Sequence, residues 1–153
     1  MNEHENQTQP EKKEEIVCVN LDIVQEMIQA LAKQKEELNA LIEAAEDGDM
    51  QAQQYLAICY CTGEKGAEKD EKKAFYWFQK AADQGDANAK YMLADAYEHG
   101  YGVVQNISKA IEMYQEVEKQ GITDAGVRIG YCYENGIGVE VNQIVAAKWY
   151  QKE

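Results

Sequence analysis

Apolar and small residues recur along most of the chain at steps of three and four, which is the spacing of one face of an α-helix. In one such segment they fall at Ala52, Leu56, Cys59 and Tyr60, and the pattern ends at Gly63. Glycine suits the end of a helix because the left-handed C-cap conformation costs it little. The pattern therefore predicts a series of short helices separated by glycine-containing turns.

The same pattern occurs three times, at intervals of 36 or 37 residues. The registered positions hold glycine, tyrosine or alanine: Gly48, Gly85 and Gly121; Tyr60, Tyr97 and Tyr133; Gly66, Gly102 and Gly138; Ala74, Ala110 and Ala146. Each copy predicts two helices, and stacked pairs can bury an apolar face that one pair cannot. The sequence therefore predicts an all-α fold, an α/α solenoid of three helical hairpins at about residues 48–83, 84–119 and 120–153.

Residues that favour helix N-caps precede most of the predicted helices. Asp49 and Asp86 precede first helices of the copies, and the second helices follow Asp70, Asn106 and Asn142. In the third copy Ile122 occupies the cap position of the first helix. We expect Thr123 to take over as the cap there.

The segment before the copies divides into two parts. Residues 1–19 predict a disordered acidic tail, and residues 20–47 a long amphipathic helix capped by Asn20. The end of this helix aligns with the second helix of a copy, so it is expected to cap the solenoid. Its first half carries an apolar stripe at Leu21, Val24, Ile28 and Leu31. That stripe is either a seam for a homodimer or another partner, or it folds back on the solenoid through a bend near Lys33 and Gln34.

The charge limits the classes of partner. The chain has 15 Lys and Arg against 28 Asp and Glu, a formal net charge of -13. This charge repels nucleic acid and anionic lipid, so a protein or peptide partner is expected, and a charged partner should be basic. No apolar run reaches the length of a membrane span and no secretory signal is evident, which predicts a cytoplasmic protein without a membrane segment.

Candidate catalytic chemistry is sparse. The four cysteines, Cys18, Cys59, Cys61 and Cys132, are expected to be reduced core residues, since no spacing among them suits a metal site or a disulfide. His4 and His99 have no partners in metal-ligand spacing. No nucleophile accompanied by a base is apparent. We therefore expect no metal, no cofactor and no enzymatic activity.

The three copies resemble a known repeat. The pattern Ala-x-x-Gly-Asp-x-x-Ala, Leu-Ala-x-x-Tyr-x-x-Gly-x-Gly-Val and Asn-x-x-Lys-Ala-x-x-x-Tyr is fullest from Gln84 through Tyr114. It is similar to the Sel1-like repeat, a relative of the tetratricopeptide repeat. The first copy departs from it at Ala67, and the third at Val145. The resemblance implies a scaffold or adaptor without shared catalytic residues.

Related solenoids bind partners on a concave face lined by their first helices. The residues expected on that face are Gln54, Ile58, Tyr91, Asp95, Glu98, Val127 and Tyr131. Amphipathic aromatic residues among carboxylates suit a peptide or a basic helix. The main hypothesis is thus a protein-binding scaffold or adaptor. The alternatives are a structural subunit that assembles through the N-terminal helix and the last copy, or, least favoured, an enzyme of a repeat-containing hydrolase type.

Overall fold

The computed structural model describes the backbone of residues 11–152 and the side chains of residues 20–152. This part of the chain forms seven α-helices and no strand, as predicted. They are α1 (Glu11–Glu46), α2 (Met50–Thr62), α3 (Glu71–Asp83), α4 (Ala87–His99), α5 (Ile107–Lys119), α6 (Thr123–Asn135) and α7 (Gln143–Tyr150). Three hairpins, α2–α3, α4–α5 and α6–α7, stack in chain order through the α3–α4 and α5–α6 contacts. The predicted solenoid of three hairpins is confirmed.

The expected caps form at five of the six hairpin helices. The carboxylate of Asp49, for example, accepts a hydrogen bond from the Ala52 N–H at 2.8 Å. Asp70, Asp86, Asn106 and Asn142 cap their helices in the same way. The expectation for Thr123 is wrong because Ile122 occupies the cap position and its carbonyl accepts from the Ala125 N–H. Thr123 is therefore the first residue inside α6.

Each hairpin is closed by an aromatic ring of its second helix and a small residue of its first. Ala57 and Phe78 are buried in one core cluster, and Ala94 and Tyr114 in the next. In the third hairpin, a Cβ atom on Gly130 would lie 2.8 Å from the Tyr150 ring. A larger side chain at position 130 would therefore displace the Tyr150 ring.

The second half of α1 occupies the position, next to the first helix of a hairpin, that the second helix of the preceding hairpin holds elsewhere in the stack. It ends in a turn in which the Gly48 N–H donates to the Ala45 carbonyl, as the Gly85 N–H donates to Ala82. Ala45 is buried with Leu56 of α2 in a shared cluster, against which Leu38, Leu41 and Ile42 pack. The predicted cap on the solenoid is confirmed.

The predicted start of α1 is wrong, and one of the two alternatives for its first half is excluded. The helix begins at Glu11 rather than at residue 20, because Glu11, Glu14 and Glu15 favour the amino end of a helix and no helix-breaking residue follows them. The predicted tail therefore overlaps α1 at residues 11–19, and residues 1–10 lie outside the described part. The helix also continues without a bend through Lys33 and Gln34, so its first half does not fold back on the solenoid.

The second glycine of each hairpin loop contacts the preceding helix of the stack. Gly66 lies against the Gln34 side chain of α1, Gly102 against the Glu71 backbone of α3, and Gly138 against the Ile107 side chain of α5. All three have positive φ, at 73°, 68° and 69° respectively. These glycines therefore fix the distance between consecutive hairpins, and the contact of Gly66 again gives α1 the position of a second helix.

We predict that Gly102→Ala lowers the free energy of unfolding by about 2–4 kcal/mol, because its Cβ would overlap the Glu71 carbonyl oxygen and the residue would keep a left-handed φ. The matched control is Gly85→Ala, where φ is +98° but no atom lies within 4 Å of the added Cβ. It is expected to lose only about 1–2 kcal/mol. Urea unfolding followed by circular dichroism measures both, and equal losses would contradict the packing role.

Candidate functional site

Three registered positions meet wherever one hairpin contacts the first helix of the next. At the first junction, between α2–α3 and α4, they hold Cys61, Phe78 and Met92. At the second junction, between α4–α5 and α6, they hold Glu98, Tyr114 and Arg128. The backbone arrangement repeats, but the side chains differ completely in polarity.

At the second junction the three side chains form a polar cluster. The Tyr114 hydroxyl donates to Glu98 Oε2 at 2.8 Å, and Arg128 Nη2 donates to Glu98 Oε1. Burial tends to raise the pKa of the Glu98 carboxyl, but the hydrogen bonds from Arg128 and Tyr114 and the charge of Arg128 outweigh it and lower the pKa. Burial and the bond to Glu98 raise the pKa of Tyr114. The cluster thus holds Glu98 ionised, with both oxygens occupied.

This pairing changes the role expected of Glu98. Only 5% of the residue is exposed, so it does not offer a free carboxylate on the partner-binding face, and that part of the prediction is wrong. Sequence reasoning also missed that Asp95, Glu98 and His99 bring possible metal-ligating atoms within 4.8 Å of one another. Because Glu98 is already bound by Tyr114 and Arg128, the group is explained by internal pairing.

At the first junction the equivalent side chains leave an apolar pocket of about 280 Å³. Phe75, Phe78 and Met92 form its apolar walls, and Cys61 and Tyr101 lie at its edge. Phe78 lacks the hydroxyl of Tyr114, and Cys61 lacks the carboxylate of Glu98, so the internal polar pairing of the second junction has no counterpart here. We call this space the first-junction pocket.

Two carboxylates, Glu71 and Asp95, also line the first-junction pocket. Partial desolvation of the Cys61 thiol, followed by the charges of Glu71 and Asp95, raises the pKa of that thiol. Cys61 is exposed, which contradicts its expected place in the core, whereas Cys59 and Cys132 are buried as predicted. The pocket therefore combines apolar walls with a negative rim and a neutral thiol.

The other residues expected on the partner-binding face differ in accessibility. Tyr131 is 44% exposed, and the Arg128 guanidinium lies 5.6 Å from its ring centroid. Tyr91 is half-buried because its ring packs against Tyr114, with the ring centroids 5.4 Å apart. The remaining members are partly accessible: Gln54, Ile58, Asp95 and Val127. Ile58 packs against the first core cluster.

Sequence reasoning missed the pocket residues Cys61, Phe78 and Met92 as a group. The signal that could have found them is the register itself. Position 61 aligns with Glu98 and Glu134, and position 78 with Tyr114 and Tyr150. In the third hairpin the Tyr150 hydroxyl donates to Glu134 Oε2 at 2.7 Å, and this bond raises the pKa of Tyr150 to about 12. The first hairpin alone replaces this tyrosine–glutamate pair with phenylalanine and cysteine.

The repeats match a known family over more than half of the 153 residues. The family model described as the Sel1 repeat matches residues 51–86, 87–121 and 124–152. The chain belongs to the Sel1-repeat family. Its three Sel1 repeats correspond to the three hairpins of the stack, and the resemblance expected from the sequence is confirmed.

Several Sel1-repeat relatives and structures are similar to parts of this chain. It is 32% identical over 70 residues to the ERAD-associated E3 ubiquitin-protein ligase component HRD3A of Arabidopsis thaliana. It is 39% identical over 59 residues to chitin synthase regulatory factor 2 of Schizosaccharomyces pombe. These matches cover 46% and 39% of this chain, but only 10% and 12% of the two relatives. The crystal structure of a Sel1 repeat protein from Oxalobacter formigenes superposes with a TM-score of 0.67 at 32% identity, covering 74% of this chain and 86% of that one.

The N-terminal helix of this Sel1-repeat protein presents its apolar stripe to solvent. Leu21, Val24, Ile28 and Leu31 are 55%, 47%, 59% and 61% exposed. Throughout residues 11–152, no helix is long and apolar enough to cross a membrane.

We predict that Arg128→Met lowers the free energy of unfolding of this Sel1-repeat protein by about 2–3 kcal/mol at neutral pH, because it leaves the buried Glu98 carboxylate with only the Tyr114 hydroxyl. The folded state of the wild type holds the Glu98 pKa below its ordinary value. The ionised carboxylate therefore contributes its full stabilisation of the fold at any pH above the ordinary pKa range of a carboxyl group. It is lost as the pH falls through the lowered pKa.

The difference between wild type and Arg128→Met should therefore shrink as the pH falls below the ordinary carboxyl range. Chemical denaturation across that range measures it. The control is Lys148→Met, which removes a cation from an exposed position of α7 and should change the free energy of unfolding little at any pH. A difference for Arg128→Met that stays constant with pH would contradict the assigned ion pair.

Proposed function

We propose that this Sel1-repeat protein is a non-enzymatic scaffold or adaptor that holds a protein or peptide partner on the face formed by α2, α4 and α6. The observation that supports it most is the set of accessible amphipathic groups on successive first helices. Tyr131 is exposed on α6, and Asp95 and Tyr91 are partly exposed on α4. We call Gln54, Ile58, Tyr91, Asp95, Val127 and Tyr131 the first-helix surface.

The physical properties of the first-helix surface suit protein binding. A tyrosine ring on a rigid helix supplies a large contact area at a small cost in side-chain entropy. Tyr91 is already held by the Tyr114 ring, so little further ordering is needed on binding. The carboxylate of Asp95 and the net charge of -13 favour a partner with basic residues.

The named relatives support this proposal through what their names state. One is a component of a ubiquitin-protein ligase, and another is a regulatory factor of chitin synthase. Both names describe a role exercised through another protein.

We also propose a cytoplasmic setting, which agrees with the free thiols of Cys59, Cys61 and Cys132.

A second candidate function is that of a structural subunit, favoured by the exposed stripe on α1. Leu21, Val24, Ile28 and Leu31 follow the three-and-four spacing of a helix–helix seam. Such a seam would join two copies of the chain as a homodimer, or bind another helix. The last hairpin adds exposed apolar groups, with Val141 59% and Ile144 72% accessible.

The two functions are separated by measuring partner binding and molar mass for variants at each of the two surfaces. Partner proteins are first captured by cross-linking in the source cells, identified by mass spectrometry and purified. We predict that Tyr131→Ala/Asp95→Asn weakens partner binding at least about tenfold, because it removes the exposed ring and the carboxylate. The variant should leave the molar mass measured by light scattering unchanged. Tyr91 is left intact because it packs against Tyr114.

Two further variants complete the design. Tyr76→Ala/Asp83→Asn makes the same chemical changes at exposed positions of α3 and should bind the partner normally. Ile28→Glu/Leu31→Glu places charges on the exposed stripe and should halve the molar mass only if that stripe forms a dimer. Undiminished partner binding by Tyr131→Ala/Asp95→Asn would refute the scaffold surface. If Ile28→Glu/Leu31→Glu is the only variant that loses both partner binding and the dimer, the structural subunit is favoured.

A further inference from the structure

We propose that the first-junction pocket is the anchoring subsite of the partner surface. It would receive one large apolar side chain, such as leucine, methionine or phenylalanine, from a peptide segment that carries lysine or arginine beside that residue. This inference rests on the proposed function and specifies the chemistry of the partner. Three observations support it: the shape of the pocket, the charge at its rim and the contrast with the second junction.

The shape of the pocket suits a side chain. Its volume of about 280 Å³ lies at or below the lower end of the roughly 300–1,000 Å³ typical of small-molecule sites. Phe78 is 3% exposed and forms part of the first core cluster, against which Phe75 and Met92 pack. The Phe75 ring is further held by an edge contact with Tyr97, with the ring centroids 5.5 Å apart. The walls are therefore fixed before a ligand arrives, which reduces the entropy cost of binding.

The rim of the pocket favours a cation next to the apolar anchor. Glu71 at the start of α3 and Asp95 of α4 both line it. Among the described residues, no lysine or arginine forms a salt bridge with either carboxylate, and His99 Nδ1 lies 3.2 Å from Asp95 Oδ1. A lysine or arginine on the partner would meet two carboxylates that no lysine or arginine of this chain pairs with. Asp95 also belongs to the first-helix surface, so a bound segment can occupy both.

The second junction differs in charge at four of the registered positions. Where the first junction has Cys61 and Met92, the second has Glu98 and Arg128, which pair internally. The acidic rim positions are replaced as well: Glu71 corresponds to Ile107, and Asp95 to Tyr131. The second junction thus pairs its charges internally and has no carboxylate at the two positions that correspond to Glu71 and Asp95. A ligand with an apolar anchor and an adjacent cation fits only the first junction. Such a ligand binds at one position along the stack, which fixes the register of the partner.

The test uses the full chain and a random-sequence peptide library displayed on phage. Peptides selected on the wild type are synthesised, and their affinities are measured by calorimetry. We expect the selected sequences to share one large apolar residue with lysine or arginine nearby. Replacing that apolar residue by alanine should weaken binding about tenfold or more, because its burial is lost.

The decisive variant is Cys61→Glu/Phe78→Tyr, which introduces at the first junction the tyrosine–glutamate pair of the other two hairpins. It should weaken binding of the selected peptides about tenfold or more, because a polar pair replaces the apolar walls. Asn88→Glu adds one carboxylate on the exposed surface of α4, where the registered residue of the third repeat is Asp124, and should leave the affinity unchanged.

A second variant keeps the test decisive if that double substitution fails to fold. Glu71→Gln/Asp95→Asn preserves the shape of the pocket and removes its negative rim. It should weaken binding and reduce the dependence of affinity on salt concentration. An unchanged affinity and salt dependence would overturn the proposed cation site.

The outcomes distinguish the pocket from the function on which it rests. If selected peptides bind Cys61→Glu/Phe78→Tyr as tightly as the wild type but lose affinity for Tyr131→Ala, the pocket is refuted and the scaffold surface stands. If no peptide is enriched, or if enriched peptides are insensitive to all of these variants, both proposals fail. Loss of binding with the pocket variants alone supports the pocket as the anchoring subsite.

Discussion

Each hairpin depends on the contact between an aromatic ring of its second helix and a small residue of its first. Ala57, Ala94 and Gly130 occupy the small position, and the ring comes from Phe78, Tyr114 or Tyr150. The absence of a larger side chain lets the two helices approach closely, and the bulk of the ring fills the space between them. Because this contact is apolar in all three hairpins, it holds the same backbone geometry whether or not the ring carries a hydroxyl.

That constancy allows the chemistry at the junctions to vary without a change of fold. The ring places its outer edge beside the last turn of the first helix, at positions 61, 98 and 134. A tyrosine paired with a glutamate gives a hydrogen-bonded polar cluster, and in the second junction Arg128 also binds the glutamate. Phenylalanine with Cys61 instead gives an apolar pocket with acidic neighbours. One repeated scaffold thereby presents two different surfaces along its length, which is what recognition of an oriented partner requires.

The sequence was sufficient to predict the hairpins, because their signals are local and occur in three copies. Glycines at turn positions and Asp or Asn at N-caps act within a few residues, so their effects do not depend on the rest of the fold. The start of α1 could not be predicted in this way, since Asn20 is a plausible cap and only the acidic turns before it favour a longer helix. The burial of Glu98 was missed because its partners, Tyr114 and Arg128, come from two other helices. A carboxylate on a helix face is ordinarily solvated, and only tertiary contacts decide otherwise.

The ring and the small residue, rather than the polar pairs, set the geometry of each hairpin. The most direct test is a crystal structure of the variant Glu98→Cys/Tyr114→Phe/Arg128→Met, which gives the second junction the side chains of the first. We predict that the ring at position 114 stays packed against Ala94, that α4, α5 and α6 keep their positions, and that the second junction becomes apolar. A displaced ring, or helices α4 and α5 that have moved apart, would contradict it.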